Sequence, residues 1–232
     1  MWNRSQLKEK AKAGVRRNYW KSVLVSLISA LMIGGVGAAG HFGNAFSSAD
    51  SEALSPEMQS FAATLPPSFW MILGAFAVLV IVFAVFSAVA LVNPLEVGVY
   101  KYSLNAVRGE GNVSDLGNGF DASYKRNVKV MFFYNLYAVL WTLLFIIPGL
   151  VKIYEYRMIP YLLADHPEMD QKEAFQTSKE MMRGNKWRAF VLDLSFILWD
   201  FLSGITLGLV GTFWVGPYKL LTNAALYEEL KK

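Results

Sequence analysis

Uncharged runs constrain this chain more than any other feature. Between Lys21 and Asp50 lie 28 consecutive residues without a formal charge, between Glu57 and Glu96 lie 38, and Val130 to Val151 adds 22 more. A hydrocarbon layer of roughly 30 Å is crossed by about 20 apolar residues in helical form. Ser22 to Gly40, Phe69 to Val92 and Val130 to Val151 are therefore expected to be spans. Pro66 and Pro67 suit the start of the second, and Pro148 with Gly149 marks a stop for the third. The composition agrees, with 54% apolar and only 17% charged residues, against about 25% charged in ordinary soluble domains.

Three further segments complete the expected topology. Leu150 to Ala164 carries Lys152, Glu155 and Arg157, and hydropathy alone leaves it out. Its position argues for it, because without it the basic stretches flanking the third span fall on opposite sides of the membrane, against the rule that positive loops stay cytoplasmic. Trp187 to Thr206, interrupted by Asp193 and Asp200, is a fifth span, and Leu207 to Leu226, with Pro217 and Lys219, is a sixth. Seven Lys and Arg residues fall in residues 1–21, five in 101–129, five in 172–188 and none in 41–67. This places both termini and the central loops in the cytoplasm and the loop holding Asp50, Glu52 and Glu57 outside. A cleaved signal peptide ending near Gly37, Ala38 and Ala39 is the weaker reading, because the first apolar run exceeds a signal core of roughly 7 to 15 residues.

The chain also resembles itself. Arg17-Asn18-Tyr19-Trp20-Lys21 parallels Gly184-Asn185-Lys186-Trp187-Arg188, with Arg126-Asn127-Val128-Lys129 as a looser copy. Pro94, Val97, Tyr100 and Tyr102 match Pro148, Val151, Tyr154 and Tyr156 at an offset of 54 residues. The expected fold is thus all-α: one polytopic membrane bundle over residues 1–232, about six transmembrane helices in three hairpins, with repeat units 1–107, 108–164 and 165–232. Residues 5–17 and 170–182 read as amphipathic helices in the cytoplasmic headgroup plane, with Leu7 and Ala11, and Ala174, Phe175 and Ser178, on their apolar sides. They suit anionic lipid headgroups or a protein partner.

Absent cysteines exclude disulfides and thiolate sites, and two isolated histidines, His41 and His166, leave little for a metal. No cofactor, metal or nucleic acid is expected. Gly109-Glu110-Gly111-Asn112 lacks the third glycine of a nucleotide loop and reads as a turn. Gly34, Gly35, Ala38 and Ala39 suit close helix packing or a homo-oligomer face. Ionisable groups at membrane depth cost about 2.5 to 3.5 kcal/mol each on insertion scales, so each asks for a partner or a role. Lys152 and Glu155 share a helical face, with Tyr156 beside them and Arg157 on another side. Glu96 and Lys101, with Tyr100 and Tyr102, form a comparable polar set that would face the first across the bundle. Asp193 and Asp200, seven residues apart, share a face and are expected to meet Lys152, Lys101 or Lys219.

One stretch is more specific. Ile147-Pro148-Gly149-Leu150 through Lys152, Tyr154, Tyr156, Met158, Pro160, Tyr161, Asp165 and Pro167, then Ser178-Lys179-Glu180-Met181-Met182 and Gly184-Asn185-Lys186-Trp187, resembles the bacterial integral membrane family known as domain of unknown function 975. Trp2-Asn3-Arg4 at the start and Trp214-Val215 with Pro217-Tyr218 near the end extend the likeness over nearly the whole chain. The resemblance implies a multi-pass protein of the bacterial cytoplasmic membrane and no particular activity. The layout is also similar to the membrane domain attached to some glycerophosphodiester phosphodiesterases, which favours a lipid-related role by analogy alone. The expected function is binding or transport of a small amphiphile or lipid through a polar intramembrane cluster of Lys152, Glu155, Tyr156, Arg157, Asp193, Asp200, Glu96 and Lys101. Two other roles compete: an accessory or scaffold subunit with no ligand of its own, and, less favoured, a lipid-modifying enzyme, for which no acid, base and nucleophile group stands out.

Overall fold

The computed structural model describes residues 2–31, 60–61, 64–206 and 208–232. Those residues are helical, with no strand among them. They belong to two compact units, one formed by Met1–Ala30 with Leu91–Lys232 and the other by Leu31–Ala90. His41, the small-residue stripe at 34–39, the candidate cleavage site and the acidic loop at 50–57 lie outside the described residues.

Within the smaller unit, the long apolar helix Pro67–Ser87 starts at the second of the paired prolines and buries none of its side chains. In the larger unit, α1 (Arg4–Arg17) begins where the Asn3 side chain accepts a hydrogen bond from the Ser5 amide at 3.0 Å. Leu7, Ala11 and Gly14, at helical spacing, turn inward. A second helix, α2 (Tyr19–Leu31), follows directly. With Pro67–Ser87 as α3, the chain continues through α4 (Asn93–Arg108), a 3-10 turn at Val113–Phe120, α5 (Tyr124–Leu144), α6 (Ile146–Tyr156), α7 (Ile159–Asp165), α8 (Gln171–Met181), α9 (Lys186–Leu194), α10 (Ile197–Ile205) and α11 (Gly216–Leu230).

Four prolines explain most of the boundaries. Proline lacks an amide hydrogen, and its ring crowds the carbonyl four residues earlier. For Pro148 that residue is Leu144, where α5 ends; for Pro160 it is Tyr156, where α6 ends. For Pro94 and Pro217 it is Ala90 and Phe213, both inside π-helical turns, Ala88–Val92 and Gly211–Val215, that widen the backbone. The expected stop at Pro148 and Gly149 is therefore misplaced. The chain breaks at Phe145, which is extended, and Pro148 sits in the first turn of α6, where its missing donor costs nothing.

The centre of the larger unit is α7, whose residues Ile159 through Ala164 are all buried. Met158, Leu104, Met131, Phe196, Ala224 and Tyr227 pack into the same core. The α6–α7 break is stitched by Ser178 of α8, whose hydroxyl donates to the Glu155 carbonyl at 2.7 Å and accepts from the Met158 amide at 3.2 Å. Gly14 brings α1 against α4 and α11: a Cβ there would lie 3.3 Å from the Ala106 carbonyl oxygen and 2.8 Å from Leu221. The apolar faces of both amphipathic helices are thus spent inside the fold, with Leu7, Ala11, Ala174 and Ser178 buried. The Gly109 turn is left-handed, at φ 106°, and terminates α4.

Pro67–Arg108 and Tyr124–Leu144 are long and apolar enough to cross a membrane, by length and composition, and Tyr19–Leu31 is a shorter apolar helix. The other expected spans are not single long helices. The fourth consists of α6 and α7, the fifth of α9 and α10 separated at Ser195 and Phe196, and the sixth of a π turn leading into α11, whose Leu221, Ala224, Ala225 and Tyr227 are buried. What the larger unit does expose is apolar surface at its turns. Leu143, Leu144, Phe145 and Ile147 stand out around the α5–α6 turn, and Leu198, Phe201, Ile205, Leu209 and Trp214 along α10 and the segment after it.

The tightest backbone contact is between α4 and the 3-10 turn. A Cβ on Gly98 would lie 2.2 Å from the Leu116 carbonyl oxygen, and one on Gly119 would lie 1.7 Å from that of Pro94. Gly117, in the same turn, has open space around it. Gly98→Ala and Gly119→Ala are each expected to cost about 1–3 kcal/mol or more, and Gly117→Ala far less. Thermal melting in detergent checks this, and equal melting temperatures for the three variants would contradict the close approach.

A tyrosine-lined cleft and a buried carboxylate

Residues 150–157 of α6 and the turn after it sort their polar side chains onto two faces. Tyr154 and Arg157, three apart, turn toward α9 and α11, whereas Lys152 and Glu155 turn toward α8 and the start of α9. On the first face, the Arg157 guanidinium grips Asp193 in a two-pronged contact, Nη1 to Oδ2 at 2.6 Å and Nη2 to Oδ1 at 2.8 Å. Nη2 also donates to Asn223 Oδ1 at 2.7 Å, and the Tyr154 hydroxyl donates to Asp193 Oδ2 at 2.8 Å. The Arg157 side chain is only 15% exposed. A charge so enclosed is tolerable because its partner and hydrogen bonds accompany it.

This neutral pair forms one wall of a cleft of about 420 Å³. Tyr100, Tyr134, Tyr154 and Tyr161 also line it, as do Lys219 and the apolar residues Leu150, Ile153 and Leu220. Tyr100 and Tyr161 meet edge to face, with ring centroids 4.5 Å apart. Tyr100 and Tyr154 are the matching tyrosines of the internal repeat, and both border this cleft. Their repeat neighbours Tyr102 and Tyr156 do not: Tyr102 is buried and shares a 2.9 Å hydrogen bond with Ser22 of α2.

On the second face, Glu155 is buried, its side chain 6% exposed. One carboxylate oxygen accepts from Lys152 at 3.0 Å and the other from Lys186 at 2.6 Å. The expected Lys152–Glu155 pair is present, but Lys186, at the start of α9, is a second cation that spacing along α6 does not disclose. Tyr156 lies beside this group, with Lys152 Nζ 5.8 Å from its ring and 5.3 Å from that of Trp141.

The remaining expected residues disperse. Asp200 pairs with Lys219 at 2.9 Å, one of the partners foreseen for it, whereas Asp193 takes Arg157 instead of a lysine. Glu96 meets the Tyr100 hydroxyl at 3.4 Å. Lys101 lines a separate hollow with Asp121 and Arg126, away from Glu155. Of the polar set around Glu96 and Lys101, Tyr100 borders the cleft beside Arg157 and Asp193, while Lys101 lines the other hollow. Sequence spacing singles out neither Asn223 nor Tyr134, and Tyr161 stands out only as part of the family motif. Tyrosines 134, 154 and 161 recur along helices that meet, a signal that needs the contacts before it can be read, and Asn223 offers none. No group of three or more His, Asp or Glu residues close enough to hold a metal occurs among the described residues.

Outside the apolar segments, Asp165 ties α4, α7 and α11 together. Its side chain, 7% exposed, accepts from Arg108 at 2.9 Å, Tyr227 at 3.0 Å and Lys231 at 2.6 Å. Burial alone would raise its pKa, but the hydrogen bonds from Lys231 and Arg108 prevail and hold the carboxyl down at about 2. Arg108 reaches on to Glu228 at 2.6 Å, and Lys10 of α1 pairs with Glu229, so the C-terminal turn of α11 is fastened to α4 and to α1.

A family model described as "Protein of unknown function (DUF975)" matches residues 41–232. That is most of the chain, and the chain belongs to this family. No curated protein and no solved structure matches it.

Because the Asp165 pKa is depressed in the fold, its contribution to stability is complete above the ordinary carboxylate value near 3.8 and drains away as pH falls toward about 2. Asp165→Asn is expected to cost on the order of 2 kcal/mol at neutral pH and to flatten the acid limb of the stability curve. Unfolding measured from pH 7 down to pH 2 would show it, and an unchanged acid limb in the variant would refute the assignment.

Proposed function

We propose that this member of the DUF975 family is a multi-pass membrane protein that binds, and in doing so carries or shields, the polar head of a small amphiphile or lipid in the cleft beside Arg157 and Asp193. The observation that carries the reading is the make-up of that cleft. Four tyrosines, an asparagine and a neutralised arginine–aspartate pair meet Leu150, which is 50% exposed on the apolar side of α6. A site lined by both polar and apolar groups suits a molecule built the same way. The reading includes no catalysis, since the cleft offers hydrogen-bonding groups but no paired acid, base and nucleophile.

Membrane residence is supported by the two helices of spanning length and by the apolar side chains exposed around the turns; soluble monomers seldom leave contiguous apolar patches beyond a few hundred Å². The six-pass arrangement with cytoplasmic termini is carried by the distribution of Lys and Arg, and the bacterial cytoplasmic membrane by the family resemblance. The accessory-subunit reading has less support, because the amphipathic faces it would use are packed inside the chain.

Two measurements test this. In native mass spectrometry of protein gently released from its own membrane, the wild type is expected to retain a small ligand, and the combined substitution Arg157→Gln with Asp193→Asn to weaken retention about tenfold, the worth of one charge-assisted hydrogen bond. Equal retention in a variant that still folds would overturn the assignment. The chain has no cysteine, so single introduced cysteines report topology directly. Thr64→Cys is expected to react with an impermeant maleimide on intact cells and Ser123→Cys only after lysis; the reverse pattern would overturn the topology.

A further inference from the structure

The second face of α6 carries an arrangement that the cleft does not use. Glu155 orients two ammonium groups, Lys152 at 3.0 Å and Lys186 at 2.6 Å, and each of its oxygens is committed. An ammonium has three donors, so each lysine keeps hydrogen-bonding capacity beyond Glu155. Next to them is a cavity of about 440 Å³ bordered by Lys152, Glu155, Tyr156 and Phe175, and by Lys179 and Arg183 of the α8 segment. Lys179 and Arg183 are four residues apart, one turn of helix, and neither has a carboxylate within 4 Å among the described residues. Glu180, the other acid of the cavity, is hydrogen-bonded by Gln176 at 3.2 Å. Three cations, Lys152, Lys179 and Arg183, thus border a hollow holding two carboxylates, and one of those, Glu155, is already shared by Lys152 and by Lys186, which lies outside the lining.

The surroundings say what kind of anion fits. Tyr156 and Phe175 meet edge to face at 5.0 Å, and Trp141 lies beside Lys152, giving an aromatic wall. On α6, one turn or less before Lys152, Leu150 and Val151 are exposed. We propose that the cavity bordered by Lys152, Lys179 and Arg183 is a binding site for the phosphate group of an anionic phospholipid, whose acyl chains lie along the apolar face of α6. Glu155 is a positioning residue here: it holds Lys152 in place, with Lys186 on its other oxygen, and does not touch the lipid. The site is separate from the Arg157 cleft and rests only on the membrane reading, so each can fail alone.

The experiment is native mass spectrometry of the full chain in non-ionic micelles, titrated with phosphatidylglycerol, phosphatidylcholine or inorganic phosphate. Phosphatidylglycerol is expected to bind at least about tenfold more tightly than phosphatidylcholine, a ratio equal to about 1.4 kcal/mol. Lys179→Gln with Arg183→Gln, on the exposed side of the cavity, should abolish that preference while the melting temperature stays at the wild-type value. Arg157→Gln should leave it intact. Equal binding of the two lipids, an undiminished preference in the double variant, or saturation by inorganic phosphate with no phosphatidylglycerol bound would each overturn the proposal, the last by assigning the cavity to a soluble phosphate. Loss of the preference in Arg157→Gln would overturn the separation of the two sites.

Discussion

Four missing amide hydrogens organise this molecule. An apolar chain without prolines would run its uncharged stretches as long straight helices, because every backbone donor would have its acceptor one turn away. Here Pro94, Pro148, Pro160 and Pro217 each withdraw one donor, and the backbone answers four residues earlier with a π turn or a break. The breaks let the chain fold back on itself at Phe145 and between Tyr156 and Ile159, and they place α7 at the centre with apolar contacts on every side. A backbone opened in that way has to be satisfied from elsewhere. The Ser178 hydroxyl does this for the α6–α7 junction, accepting from one side of the break and donating to the other.

Charge follows the same economy. Several acids and bases of the apolar segments are matched, Arg157 with Asp193, Lys219 with Asp200, and Glu155 with two lysines, whereas Glu96 meets the Tyr100 hydroxyl. In a low-dielectric setting an unmatched partner costs far more than a matched pair contributes. Neutral pairs therefore leave the cleft beside Arg157 dominated by hydroxyl and amide groups, while the group around Glu155 keeps an excess of positive charge. Two adjacent faces of one short helix thereby acquire opposite characters, one suited to polar uncharged chemistry and the other to anions.

Much of this was legible in the residues. The helical class follows from the uncharged runs and the basic stretches, the amphipathic helices from the spacing of Leu7 with Ala11 and of Ala174 with Ser178, and the Lys152–Glu155 pair from helical geometry alone. Family membership was legible in the Ile147 to Trp187 motifs. The helix breaks were only half legible. Pro148 announces an interruption, but its effect falls on the carbonyl of Leu144, so a reading that places the stop at the proline is displaced by one turn. Contacts between helices were not legible. Whether Asp193 meets Lys152 or Arg157 depends on how far α9 is rotated against α6, and sequence spacing within either helix carries no information on that angle. The same holds for Lys186 on Glu155 and for the gathering of Tyr100, Tyr134 and Tyr161.

The pairing of α1 with α11 has a consequence for how such a chain is made. Gly14 accommodates Leu221, and Lys10 pairs with Glu229, so α1 finds its partner 219 residues further along the chain. Contacts this distant in sequence form only once the entropy of closing so long a loop has been met. Until then α1 carries its apolar stripe without a protein surface to cover it. A bilayer surface accepts a basic helix with an apolar face, so under the membrane reading proposed above that surface would cover α1 until α11 arrives.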